Sequence, residues 1–257
     1  IHMSTAIEEE MGAQRERTAI STNIKERLDF SCALLDPKGR LIVNAPHIPV
    51  HLGALGLCVR EISARLKMEA GDVVVTNHPA CGGSHLPDVT LIAPVFDWYN
   101  ELLGYVANRA HHAEIGGIVP GSMPPFSRSL GDEGVLIRNF RLVDQGASRE
   151  DALRELLASG PHPSRNVPEN LADVSAQVAA NNSGVVQLGL LVQRYSLEVV
   201  AAYMGHIQQA ASEKMRLALG EIPDGNYHRT DHLDNGSPIT CLLYTSDAAD
   251  ERSSVDL

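Results

Sequence analysis

The densest polar stretch of the chain is Asn77-His78-Pro79-Ala80-Cys81-Gly82-Gly83-Ser84-His85-Leu86-Pro87-Asp88. Within it His85 and Asp88 stand three residues apart with Pro87 restraining the backbone between them, so an imidazole and a carboxylate can converge on one cation. The same spacing also serves to brace a loop by a hydrogen bond, and spacing alone leaves both readings open. A second source of imidazole favours the cation, because Asn108-Arg109-Ala110-His111-His112-Ala113-Glu114 follows another β-prone run. On extended backbone, neighbouring side chains point to opposite faces. One of His111 and His112 is then the ligand, while the other orients it or meets substrate. A mixed His and carboxylate shell leaves room for water or substrate and suits Zn, Mn or Fe. Metal-activated water attacking a carbonyl is its natural chemistry.

Other groups carry less. His47-Ile48-Pro49-Val50-His51-Leu52-Gly53 places two imidazoles four apart, but Pro49 puts His47 ahead of any helix, and polar residues at a helix start are the ordinary alternative. Gly82-Gly83 has the composition of an anion cradle. The chain nevertheless contains no GxxxxGK[ST] and no GxGxxG, so no self-contained nucleotide site follows. Cys81 lacks an identifiable base, and Ser122 in Pro120-Gly121-Ser122-Met123-Pro124 lacks a nucleophile elbow and reads as a turn residue.

The elements that must position these groups are legible in outline. Asp29 to Leu35 and Arg40 to Val43 are β-prone about Asp36-Pro37-Lys38-Gly39, which predicts a hairpin. Leu52, Leu55, Leu57, Val59, Ile62 and Leu66 recur at mostly helical intervals up to Gly71, and Val73-Val74-Val75 reads as a buried strand. Val89 to Val95 and Leu102 to Ala107 predict two more strands, and Gly116 to Pro125 an ordered loop. Residues 6 to 17 are helix-prone. Residues 169 to 219 contain no Pro and predict two helices, with a break at Asn181-Asn182-Ser183-Gly184. Pro223-Asp224-Gly225 predicts a turn into a strand through Tyr227 and Asp231. The fold class expected is α+β, with mixed strands and site loops in the first half and a helical segment in the second.

The chain has 257 residues, 44% of them apolar, with 21 Lys and Arg against 32 Asp and Glu and a formal charge of −11. That balance opposes sequence-independent nucleic-acid binding. The longest stretch without a polar side chain, Leu52 to Val59, is far short of the roughly 20 residues of a membrane span. Ile1-His2-Met3 followed by Glu8-Glu9-Glu10 is no secretory signal, and Cys32, Cys58, Cys81 and Cys241 form no paired spacing, so a reducing cytoplasm is the expected compartment.

Taken together, Asn23-Ile24-Lys25-Glu26-Arg27-Leu28-Asp29-Phe30-Ser31-Cys32, His47 to Gly53, Gly82-Gly83-Ser84-His85-Leu86-Pro87-Asp88, His111 to Gly117 and Pro120 to Pro124 resemble the hydantoinase B/oxoprolinase family. The resemblance runs from about residue 8 to about 239. Members of that family are longer, so residues 1–240 correspond to an N-terminal half of the family domain. Residues 241–257 have no core pattern, are similar to translated adaptor read-through, and are set aside as a non-native tail.

The resemblance implies ATP-dependent opening of a cyclic amide such as 5-oxoproline or a hydantoin, shared with a hydantoinase A-type ATPase subunit or domain that binds the ATP. It also implies a divalent metal held by Asp29, His85, Asp88 and His111, with His112 the substitute for His111. An inward Asp29 carboxylate in a β-prone run is costly unless a cation meets it. An unligated His112 or His51 would move protons. Two alternatives accompany this expectation: the metal-binding subunit of an acetone or acetophenone carboxylase-like enzyme, and a non-catalytic scaffold for the ATPase subunit.

Overall fold

Asp36 closes the first hairpin where the sequence predicts it. Its Oδ1 accepts the backbone N–H groups of Lys38 (3.0 Å) and Arg40 (2.8 Å), and Gly39 takes a left-handed φ of 69°. About this turn β1 (Phe30–Leu35) pairs antiparallel with β2 (Leu41–Ala45). The structure is a computed structural model describing residues 6–7, 9–13, 18–45, 51 and 53–245. His47 lies outside the described residues, and of the helix predicted over 6–17 the described residues are helical. The chain divides into two compact units, Ile1–Gly205 and His206–Leu257.

In the first unit, α1 (Thr22–Lys25) precedes the hairpin and α2 (Ala54–Arg65) follows it. Gly71 turns the chain into β3 (Val73–Thr76), whose β-branched side chains suit a strand buried throughout. Then come β4 (Asp88–Phe96), β5 (Leu102–His111), the short α3 (Leu130–Glu133), β6 (Phe140–Asp144), β7 (Ala147–Ser148) and α4 (Glu150–Leu157). The strands form one sheet in the order β2-β1-β5-β4-β3-β6-β7, antiparallel at every pairing. This is the α+β class expected, with β6, β7 and α4 unanticipated.

Each face of the sheet is covered. Ala33, Leu35, Val74, Ile92, Tyr105 and Ala107 meet Leu55, Cys58, Val59 and Ile62 of α2 on one face. Each Val, Leu or Ile side chain so buried contributes roughly 1.5–3 kcal/mol. The other face receives α5 (Val167–Tyr195), started by Asn166, whose side chain accepts the Glu169 N–H. The break predicted at 181–184 is absent, and α5 runs through it as one helix of 29 residues. Asn181 and Gly184 turn inward there: Asn181 Oδ1 accepts from Asn108 at 2.7 Å, and a Cβ at Gly184 would stand 2.5 Å from Met11 Sδ. Turn-forming residue types thus serve close helix–sheet contact. The helix ends at Ser196, where φ is 71°, and α6 (Leu197–Gly220) follows.

In the second unit β8 (Gly225–His232) leaves the predicted turn and pairs with β9 (Pro238–Thr245). β9 takes in Cys241 to Thr245, residues the sequence pattern set aside as tail. Thr245 Oγ1 closes the open end of the hairpin on Pro223 O (2.9 Å) and on the Gly225 N–H (3.0 Å). Among the described residues no single helix is long and apolar enough to cross a membrane.

Candidate functional site

Period-two alternation carries the α2-facing side of the sheet out to the strand ends. On β5, Tyr105 and Ala107 lead to Arg109 and His111; on β4, Ile92 leads back to Thr90 and Asp88; on β1, Leu35 and Ala33 lead back to Ser31, with Asp29 next in the alternation. The register aligns these ends. Asp88 lies opposite His111, and the His111 N–H donates to Asp29 O at 3.0 Å. Asp29, His111 and Asp88 therefore stand in a row across three adjacent strands spaced about 4.8 Å apart.

Two loops bring further imidazoles to this row. His85 Nδ1 lies 3.2 Å from Asp88 Oδ2, and its ring centroid is 4.8 Å from that of His111. Ser84 Oγ donates to the same carboxylate oxygen. The loop is pinned by buried Asn77, which donates to Leu86 O and Val135 O (both 2.9 Å) and accepts the Ile137 N–H (2.7 Å). Gly82 lets it press on α2, since a Cβ there would stand 2.6 Å from Cys58 N. The glycine pair is thus accounted for by packing, with Arg109 donating to Gly82 O at 2.7 Å. His51, just ahead of α2, is buried with Nδ1 3.0 Å from Ser31 Oγ and Nε2 3.6 Å from Asp88 Oδ2.

These contacts separate the titrating groups. Burial pushes the Asp88 carboxyl up, but His51, His85 and Ser84 gathered around it outweigh that and hold it far below the usual carboxylate range. The bond to Asp88 raises His85 against the opposing effect of burial, and the charges of Asp88, Asp29 and Glu133 add to the rise. Burial lowers His111, with His85 adding to the effect and Asp88 and Asp29 opposing it. Both imidazoles respond to Asp29, so all four residues expected as ligands belong to one electrostatic cluster.

Among the described residues no three His, Cys, Asp or Glu side chains are disposed as a ready-made metal cage. Asp88 is instead turned onto its imidazole neighbours. One member of the expected set keeps capacity for a cation: Asp88 Oδ1 is buried without a hydrogen-bond partner, as is His51 Nε2 nearby, and nitrogen and oxygen donors of this kind suit a hard or borderline ion.

His112, the substitute ligand and proton carrier expected from the sequence, is not brought to this cluster. It faces α5, fully buried, with Nδ1 2.8 Å from Asn170 Oδ1 and Nε2 3.0 Å from Gln177 Oε1. Of the two proton carriers expected, His112 and His51, the fold brings only His51 to the cluster. Sequence patterning does not single out Ser31, although the alternation from Asp29 points to it, or Asn23, whose side-chain amide lies 3.0 Å from His111 Nδ1.

A helix-covered antiparallel sheet with a His and carboxylate cluster at its strand ends defines the class of domain. The chain belongs to the hydantoinase B/oxoprolinase family, which it matches over residues 2–257. It is 45% identical to 5-oxoprolinase 1 of Arabidopsis thaliana, a match taking in 99% of this chain and 22% of that protein. Caprolactamase subunit beta of Pseudomonas jessenii is 32% identical over 92% of this chain and 40% of the subunit. The crystal structure of the ATP-dependent caprolactamase from that organism superposes with a TM-score of 0.84 at 29% identity, covering 95% of this chain and 43% of that one. The nucleotide-free structure of an acetone carboxylase shares the fold, with a TM-score of 0.79 at 17% identity over 96% of this chain and 35% of that one. The chain thus spans less than half the length of each of these relatives.

Proposed function

We propose that this chain is the metal-holding part of an ATP-dependent cyclic amide hydrolase of the 5-oxoprolinase or N-methylhydantoinase type. Asp29, His85, Asp88 and His111 would hold a divalent Zn, Mn or Fe ion. A hydantoinase A-type ATPase subunit or domain would bind the ATP, in agreement with the missing phosphate loop and with a relative that is named as a beta subunit. A reducing, cytoplasmic setting accords with four free thiols. The observation that carries the reading is the register row of Asp29, His111 and Asp88 with His85 closing over it, in a chain 45% identical to a 5-oxoprolinase.

The cation, when bound, would polarise the reacting amide carbon's oxygen or supply hydroxide. The protein's own groups prepare that chemistry. Asp88, kept ionised, provides negative charge in a buried place. His85 and His111 are pushed apart in basicity, so His111 gives up its proton first and offers a lone pair. His51 is fixed at Nδ1 by Ser31 and directs Nε2 at the cluster, where it would take a proton from the attacking water and give one to the amide nitrogen of the opening substrate. His112 takes no part in this scheme.

The test is ATP-dependent opening of 5-oxoproline by the full protein with its ATPase partner. Opening by wild type and its loss in His85→Ala support the reading; undiminished turnover in His85→Ala removes the metal role. Bicarbonate-dependent carboxylation without ring opening would instead favour the carboxylase relationship. Full activity in a protein without stoichiometric metal would leave a scaffold.

A further inference from the structure

We infer that Arg109 is a positioning residue that sets where His85 stands relative to His111, by anchoring the loop that carries His85 to the strand that carries His111. The inference rests on the metal reading above and adds to it a residue outside the ligand set.

One step inward from the row of Asp29, His111 and Asp88, the register places Arg109 of β5 between Ser31 of β1 and Thr90 of β4. Arg109 is the largest fully buried side chain among the described residues. Its Nε donates to Thr90 Oγ1 at 2.8 Å and its Nη2 to Gly82 O at 2.7 Å. A guanidinium is costly to bury, and an apolar side chain of similar volume fills such a space without that cost. What arginine adds is a rigid fork of donors, aimed here at two acceptors on different elements.

Gly82 is where the loop meets the rest of the fold. It takes a left-handed φ of 75° and lies against Cys58 of α2, so its carbonyl has a fixed direction. Three residues on stands His85, and next to it Leu86 O is held by Asn77 at 2.9 Å. The span bearing Ser84 and His85 is therefore tied at both ends, to β5 through Arg109 and to the end of β3 through Asn77. Both side chains of that span turn onto Asp88 Oδ2. β5 thus presents His111 directly and fixes the loop of His85 through a residue two positions earlier. This common footing holds the two imidazole centroids 4.8 Å apart. Ligands kept at a set separation by their supports bind a cation without first having to be ordered.

The experiment uses the full chain, with zinc ions as the probe and a chromogenic chelator as competitor. Arg109→Met keeps much of the bulk and removes the donors, and it should lower zinc affinity about 10-fold, the lower end of the range for a group that supports a metal ligand. Arg109→Lys keeps the charge, but one nitrogen cannot stand in for both Nε and Nη2, so its affinity should fall between the two. In a His85→Ala background Arg109→Met should cost little further, because the ligand it places is gone. Equal losses in both backgrounds overturn the inference, since a general loosening of the fold acts without His85. A second reading needs no metal. The Gly83 N–H donates to His78 O at 3.1 Å inside the anchored loop, and it should exchange with solvent deuterium about fivefold faster in Arg109→Met, the factor for one net hydrogen bond. An unchanged Gly83 rate overturns the inference. If Arg109→Met does not fold, both readings are taken on Arg109→Lys and decide in the same way. If wild type and His85→Ala bind zinc equally, the metal reading fails, and Gly83 exchange alone decides whether Arg109 anchors the loop.

Discussion

His111 and His112 are neighbours at the end of one strand, yet they sit in opposite chemical settings. His112 enters a network of amides: the side-chain oxygens of Asn170 and Gln177 face its two ring nitrogens, while Gln177 Nε2 donates to Val89 O (2.9 Å) and Asn108 Oδ1 (2.8 Å). His111 enters a cluster of carboxylates and imidazoles in which His51 Nε2 and Asp88 Oδ1 lack partners. The α5 face of the sheet thus carries a network of amides, and the α2 face a cluster of ionisable groups. Amide side chains bond one another on one side; on the other, ionisable groups gather with His51 Nε2 and Asp88 Oδ1 left open to an ion or a substrate.

The contrast is broken most severely by exchanging the roles. His111→Ala should abolish stoichiometric metal and lower ATP-dependent ring opening by roughly 10³-fold, the scale on which electrostatic stabilisation is lost, while the thermal midpoint of the metal-free protein barely moves. His112→Ala should do the reverse, keeping metal in the folded fraction and losing stability. Metal analysis and calorimetry on the two variants decide it, and equal metal loss in both would erase the distinction between the faces. Next in size is Gln177→Ala. It strands His112 Nε2, Val89 O and an Asn108 bond, about 1 kcal/mol apiece, so about 3 kcal/mol should be lost in denaturant unfolding with zinc affinity per folded molecule unchanged. Smaller again is Ser31→Ala, which releases His51 Nδ1. About 1 kcal/mol of stability should go, and turnover should fall with little change in KM, because His51 still reaches the cluster but is no longer oriented.

The same contrast explains what the sequence made legible. His85 and Asp88 stand out because three-residue spacing across a proline has chemical meaning within a single loop. The opposite facing of His111 and His112 follows from strand alternation alone. Asp29 follows only from family resemblance, since its neighbours in space belong to β4 and β5, and pairing register is not written locally. The partners that face His112 lie 58 and 65 residues away, on α5. That is also why Asn181-Asn182-Ser183-Gly184 read as a break: the local preference of these residues for turns is overridden by contacts to Asn108 and Met11. β6 escaped because it pairs with β3, more than 60 residues earlier in the chain, through a register shift.

The smallest effect sharpens the comparison within the α2 face itself, through the metal-free protein's stability against pH. His111 is lowered from 6.5, so below that value the unfolded chain binds the proton more readily than the folded one, and stability falls as the solution is acidified through the window beneath 6.5. His85 is raised from 6.5, so its stabilising contribution is complete below 6.5 and is lost as pH rises through its folded value. Asp88, depressed far below 3.8, contributes stability throughout both windows and loses it only in strong acid. For these groups the stability profile should therefore crest near pH 6.5. His111→Ala should flatten the acid limb and leave the alkaline one, and His85→Ala should flatten the alkaline limb and leave the acid one. Urea unfolding from pH 5 to 8 reads both slopes. His112→Ala, by contrast, should lower the whole curve without tilting either limb through these two groups, and a tilt equal to that of His111→Ala would mean that both imidazoles share one electrostatic environment.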